Sequence, residues 1–128
     1  MSALSRAQFH RLDLACEPIL DAFGTPPYLV GTAATKGNTW RDVDVRLILD
    51  DATYAGQPVE VWRLLGLVTS NYLESVTGLP VDFQVQQRTA ANELHKGIRN
   101  PLGMRALRTL AGDAEARPQP EAGGVPDA

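Results

Sequence analysis

Apolar residues recur at helical spacing over residues 5 to 23, where Phe9, Leu12, Cys16, Ile19 and Phe23 form one stripe. Ser5 stands three places before Gln8, the arrangement of a capping box, and Gly24 followed by Thr-Pro-Pro stops the run. One helix is predicted there. Tyr28 to Val30 reads as a short buried strand leading into a Gly31-Thr32 turn. Val43, Val45, Leu47 and Leu49 then alternate with Asp42, Asp44, Arg46 and Ile48, which predicts a half-buried strand with a mostly polar second face. Asp50-Asp51 close it as a turn. From Pro58 to Thr77, Val61, Leu64, Leu65, Val68, Tyr72 and Val76 predict the longest helix, with this stripe toward the core and Gly78 as the cap. Val81, Phe83 and Val85 alternate with Asp82, Gln84 and Gln86 in a third strand, and Thr89 to His95 suits a short helix. Asn100-Pro101 makes an N-cap and first-turn pair for a final helix ending at Gly112. The order predicts an α+β domain over residues 1–112, a small mixed β-sheet flanked by helices. The Pro- and Gly-containing stretch 113–128 has almost nothing large and apolar, so a disordered tail is expected.

Composition narrows the functional classes. A chain of 128 residues with 44% hydrophobic content has material for one modest core. A formal net charge of −3 argues against a protein whose main task is gripping nucleic acid by neutralising phosphates. Cys16 is the only cysteine, which excludes a disulfide within the chain, and its place on an apolar stripe reads as a small core residue. The first residues carry no long apolar run, so neither signal peptide nor membrane anchor is read there and a cytoplasmic location is expected.

The chemistry concentrates between Gly31 and Asp44. Residues i and i+2 of a strand project from one face, so Asp42 and Asp44 point the same way. Two carboxylates held close resist ionisation unless a cation joins them, and hard oxygen ligands suit Mg²⁺. Asp82 opens the polar face of another strand; if the two strands are neighbours, three carboxylates share one patch. The Gly31-Thr32 turn offers close backbone approach and a hydroxyl to phosphate oxygens. Bland readings compete with each of these. Paired aspartates also protect a strand edge. Lys36 is a candidate phosphate contact or an ordinary loop lysine, Arg41 and Arg46 either balance the acidic pair or meet a nucleotide, and Trp40 either stacks on a base or joins the core. His95, Lys96, Arg99, Arg105 and Arg108 read by default as a solvated basic face, with a rim for triphosphate or nucleic acid as the alternative.

Val30-Gly31-Thr32, nine intervening residues, Asp42-Val43-Asp44-Val45 and later Val81-Asp82-Phe83 together resemble the DNA polymerase β-like nucleotidyltransferase superfamily. The pattern is closest to its small stand-alone members, the minimal nucleotidyltransferases, and spans about residues 28 to 87. The resemblance implies a nucleotidyltransferase-like fold and transfer of a nucleotidyl group from a nucleoside triphosphate such as ATP to a hydroxyl, releasing pyrophosphate. It implies that Asp42, Asp44 and Asp82 bind Mg²⁺, or Mn²⁺ in its place, and that Asp82 helps activate the attacking hydroxyl. Gly31 and Thr32, with Lys36 nearby, would then hold the triphosphate. Thr32 stands where serine is commoner and Arg41 where serine is frequent; the first change keeps the hydroxyl. No second domain to hold an acceptor is read in the sequence, so the acceptor is expected to be small or to belong to another macromolecule, a protein or a small RNA. The resemblance also implies an alternative, an antitoxin-like module that binds a toxin partner with little or no turnover of its own.

Overall fold

In a computed structural model the chain is described over residues 4–34 and 41–104. The expected first helix is two helices. Ser5 caps α1 (Arg6–Ala15) through the anticipated box, its Oγ accepting from Gln8 N at 3.0 Å while Gln8 Oε1 accepts from Ser5 N at 2.9 Å. The break falls at Cys16, and α2 (Glu17–Phe23) carries Pro18 in its first turn. A proline there has no N–H to donate, and its ring would clash with the carbonyl of Leu14 in a continuous helix. Leu12, Cys16 and Ile19 are buried as the stripe foretells, whereas Phe23 is exposed.

Four strands form one mixed sheet in the order β3-β2-β1-β4. β1 (Tyr28–Val30) pairs antiparallel with β2 (Val43–Leu49), and β2 pairs parallel with β3 (Val81–Gln87). The fold class is therefore α+β with a small mixed sheet, and the two strands bearing aspartates are neighbours. Leu29, the odd-numbered residues of β2, Val81, Phe83 and Val85 build the core with Leu12, Cys16, Ile19, Trp62 and Leu73. The opposite face is not open to solvent along its length. Arg46 and Ile48 are buried because α5 (Arg88–Leu94) packs against β2 and β3 on its way back across the sheet. Asp50 is the N-cap of α3 (Asp51–Ala55), its Oδ1 accepting from Thr53 N at 2.8 Å, so the expected turn is the start of a helix.

A final helix does not begin at Asn100-Pro101. Those two residues are the edge strand β4, paired antiparallel with Tyr28 and Leu29. Leu102 N donates to Pro27 O and Gly103 N to the buried Asp13 Oδ1, each at 2.8 Å, which holds the segment extended against α1 and the start of β1. The expected helix to Gly112 and the expected tail at 113–128 otherwise lie outside the described residues.

The long helix α4 (Val59–Thr77) has the predicted limits but presents the other face to the core. Trp62, Gly66, Thr69, Leu73 and Thr77 are buried, while Leu64, Leu67 and Val68 remain 62%, 71% and 57% exposed. Close approach to the edge of β3 selects this face. A Cβ on Gly66 would lie 2.9 Å from Phe83 O, and Ser70 Oγ accepts from Phe83 N at 2.8 Å while donating to Phe83 O at 3.4 Å. Larger aliphatic residues would hold the helix off the strand and leave those backbone groups without Ser70. From the expected stripe, Leu65 still reaches the core and the Tyr72 hydroxyl donates to Ala15 O at 2.8 Å.

Gly66→Ala tests this packing against helix propensity. Alanine adds about 1 kcal/mol of intrinsic helix preference, yet its methyl must displace the Phe83 carbonyl, at a cost of about 1–3 kcal/mol for overpacking. A lower urea midpoint is expected; a raised one would show that α4 does not sit this close to β3.

Candidate functional site

The parallel register sets Asp44 directly beside Asp82, with Arg46 beside Gln84 and Ile48 beside Gln86. Neighbouring strands are about 4.8 Å apart, so the two carboxylates leave the same face one strand spacing from each other. On the other side of Asp44 its antiparallel partner is Val30, the last residue of β1. The chain then turns at Gly31 with φ +77°, into a short 3₁₀ helix spanning Gly31–Ala34. Any Cβ at position 31 would stand 2.6 Å from Asp44 Oδ2. Both the left-handed backbone and the packing of the carboxylate therefore call for glycine. Thr32 lies within the 3₁₀ helix. Asp42 is exposed and precedes the first residue of β2. Lys36 and Trp40 lie outside the described residues.

Arg46 supplies the local counter-charge. It follows Asp44 on the same face and is only 7% exposed. Its Nη2 lies 3.3 Å from Asp82 Oδ2 and 3.8 Å from Asp44 Oδ1. Nη1 donates to Asp82 O at 2.7 Å and to Val45 O at 3.1 Å, which fixes the guanidinium plane. The two readings weighed for Arg46 thus resolve in favour of charge balance within the site. Gln84 Nε2 donates to both Asp82 oxygens, at 3.3 Å and 3.2 Å. Among the described residues Asp44 receives no such amide. Burial pushes its carboxyl above the usual range; Arg46 opposes this, and the neighbouring Asp82 and Asp42 add to it.

Among the described residues no three His, Cys, Asp or Glu side chains converge at the spacing of a metal cage, so the three aspartates do not form a complete protein ligand set. Mg²⁺ does not require one, since it is held by one or two carboxylates together with water and substrate phosphates. One guanidinium against the carboxylates of Asp42, Asp44 and Asp82 leaves the charge of one divalent cation uncancelled. The donor set fits Mg²⁺ or Mn²⁺ on that ground, with Asp44 and Asp82 as the adjacent pair.

His95 is the residue that sequence reasoning placed elsewhere. It caps the end of α5 and its Nε2 pairs with Gln86 Oε1 at 3.1 Å, which brings the imidazole over the polar face of the sheet. Burial, with Arg46 and Arg99 adding to it, holds its pKa below the ordinary histidine value, against the pull of Asp44. At neutral pH it is a neutral hydrogen-bonding group beside the acids. A cavity of about 260 Å³ runs from Gly31 to His95 and Lys96, walled by Val30, Leu94 and Ile98. The only hint in the sequence was the outward parity of Gln86; nothing in linear spacing says that the chain doubles back over it. Arg99 secures that return, donating to His95 O, Ala91 O and Asn92 Oδ1 at 3.1 Å each.

The raised pKa of Asp44 has a consequence for stability. The folded state retains this proton to higher pH than the unfolded chain, so stability falls as pH rises through and above the normal carboxylate range. Asp44→Asn removes the titration. In metal-free buffer the variant is expected to melt higher than wild type at pH 7, with the difference closing as pH drops below 4 in thermal scans. A variant that melts lower at pH 7, or by the same margin at both pH values, would contradict this assignment. No protein-family model matches this chain, and neither a curated protein nor a solved structure does.

Proposed function

We propose that the protein is a nucleotidyltransferase of the DNA polymerase β-like kind, acting on a Mg²⁺-bound nucleoside triphosphate. One observation carries the reading: the register that sets Asp44 beside Asp82, with the Asp44 carboxylate packed against the positive-φ turn at Gly31. The resemblance of the sequence motifs points to the same three segments. Mg²⁺, when bound, supplies Lewis-acid neutralisation of the phosphate charge. Asp44 and Asp82 would hold it, with Asp42 at the mouth of the strand, and Mn²⁺ suits the same oxygens.

The residues of the chain have separate tasks in this reading. The Gly31-Thr32 turn positions the triphosphate tail. Arg46, fixed by two main-chain carbonyls, keeps the carboxylates from spreading apart before substrate arrives. The acceptor oxygen attacks the α-phosphorus; its new O–P bond forms as the P–O bond to pyrophosphate breaks, and pyrophosphate leaves with the electron pair. The acceptor proton passes to Asp82. Catalysis of this type is positioning and electrostatic stabilisation more than covalent chemistry.

Calorimetric titration of ATP and the other nucleoside triphosphates in millimolar Mg²⁺ tests the first step. Saturable, Mg²⁺-dependent binding is expected, and Asp42→Asn with Asp44→Asn should abolish it. Asp82→Asn should spare most of the binding while cutting transfer by roughly 10²-fold or more, in line with loss of one stabilising group. Binding that is indifferent to Mg²⁺, or transfer that survives both sets of substitutions, would exclude the reading.

A second reading, the antitoxin-like interaction module, is favoured by the aliphatic face of α4, where Leu64, Leu67 and Val68 are mostly exposed. Exposed patches of this kind mark docking surfaces. A module that only binds a toxin would retain neutralisation in Asp82→Asn and lose it in Leu64→Glu with Val68→Glu, the opposite of what an enzyme would show.

A further inference from the structure

Two cavities flank β2 in the order of the strands, one at β1 and one at β3, and Asp44 lines neither. The smaller lies at the β1 end and is bordered by Gly31, His95 and Lys96. The larger, about 420 Å³, lies at the outer edge of β3 and is bordered by Asp82. We propose that this larger cavity is the acceptor site, and that it takes an aryl or alkyl alcohol, a hydroxyl carried on a largely apolar and uncharged body. The assignment rests on the nucleotidyltransferase reading above and adds the direction in which the group moves and the chemistry of what receives it.

In-line displacement at phosphorus places nucleophile and leaving group on opposite sides of the reacting atom. Across the sheet the sequence of features is the glycine turn on β1, Asp44 on β2 and Asp82 on β3. Pyrophosphate is polyanionic, and the cavity beside Lys96 and the imidazole of His95 receives it without charge conflict. The other cavity is bordered by Asp82, the acid assigned to the acceptor proton. The nucleophile therefore comes from the β3 side, where Asp82 meets it.

The lining decides the class of acceptor. Tyr54 and Trp62 stack with ring centroids 5.9 Å apart, and the Trp62 indole N–H is already engaged by Tyr54 O at 2.8 Å. Both rings border the cavity as apolar surface, together with Val59 and Leu67. Gly66 lets α4 close onto Phe83 at the floor of the cavity. Arg63 in the wall disfavours polycationic acceptors, and apolar surface outweighs polar surface there, so a polyhydroxylated sugar would lose more water than the wall replaces. A small polar anchor exists on the strand itself. Phe83 turns its N–H and C=O away from β2 toward Ser70. Residues of the same parity along a parallel strand turn the same way, so the Val85 main chain faces this cavity beyond the reach of Ser70. Mostly apolar walls interrupted by a few polar side chains, here Arg63, Ser70, Asp82 and Gln84, are the usual make-up of a small-molecule site.

The probe is 2-phenylethanol, followed by amide and indole NMR signals of the full chain, with Trp62 distinguished from Trp40 by Trp62→Phe. Saturable shifts of the Trp62 indole and the Val85 amide are expected, with Gly31 and Gly97 unmoved. Pyrophosphate with Mg²⁺ should move Gly31 and Gly97 and leave Trp62 in place, and sorbitol should move neither set. Leu67→Trp, at an exposed position that tolerates bulk, should weaken 2-phenylethanol at least tenfold, as should Val59→Trp. Pyrophosphate acting on the Trp62 set, sorbitol matching 2-phenylethanol, or unchanged affinity in both filled variants would overturn the assignment. These readouts need no nucleotide, so their failure leaves the proposed transferase standing. Binding of the alcohol by a protein that takes up no nucleoside triphosphate would instead remove the transferase and the acceptor role together.

Discussion

The parallel pairing of β2 with β3 governs most of what this molecule presents to solvent, because its register decides which side chains share a face. With Asp44 opposite Asp82, the two carboxylates meet and Arg46 falls between them. A slip of one residue would turn Asp82 into the core and put Phe83 among the acids. The apolar partners Val43, Val45, Leu47, Val81, Phe83 and Val85 make that slip very costly, so the hydrophobic core is what holds the acidic pair in place. The charges contribute little to this choice and are carried by it.

Bringing like charges together has to be offset locally, and the offset is incomplete. Arg46 is pinned by the carbonyls of Val45 and Asp82, which leaves its charge near both acids without freeing it to follow either one. Asp44 is half-buried, receives among the described residues no amide such as Gln84 gives Asp82, and has its carboxyl pushed up by desolvation. A glycine turn close enough to exclude any Cβ confines it further. Tension of this sort is common where a fold keeps a site ready for an external cation or a charged ligand.

The long helix α4 shows how a tertiary demand overrides an amphipathic pattern. Its aliphatic residues outnumber its small ones, and by periodicity alone they should face inward. The open edge of β3 needs donors and acceptors, however, and only a face built from Gly66, Thr69 and Ser70 brings a hydroxyl to Phe83. Satisfying backbone groups at a sheet edge outweighs burying a few more methyl groups when the alternative is a strand left half unpaired. Leu64, Leu67 and Val68 are left outside as a result.

Local signals in the sequence were sufficient for the strands β1, β2 and β3 and for the limits of the long helix. The capping box at Ser5, the alternation in Val43–Leu49 and Val81–Gln87, and the glycine after a short strand each depend on neighbours within a few positions, so they read directly from the chain. What the sequence left undecided were relations between distant parts. Pro18 divides the first helix, although the apolar stripe runs unbroken across it. The pairing of Asn100-Pro101 with β1, the inward face of α4 and the passage of His95 over Gln86 were set by partners dozens of positions away. Periodicity reports which residues can be buried together; only packing in three dimensions decides against what, since an edge strand's hydrogen bonds and a helix's closest approach exist only once both elements are in place.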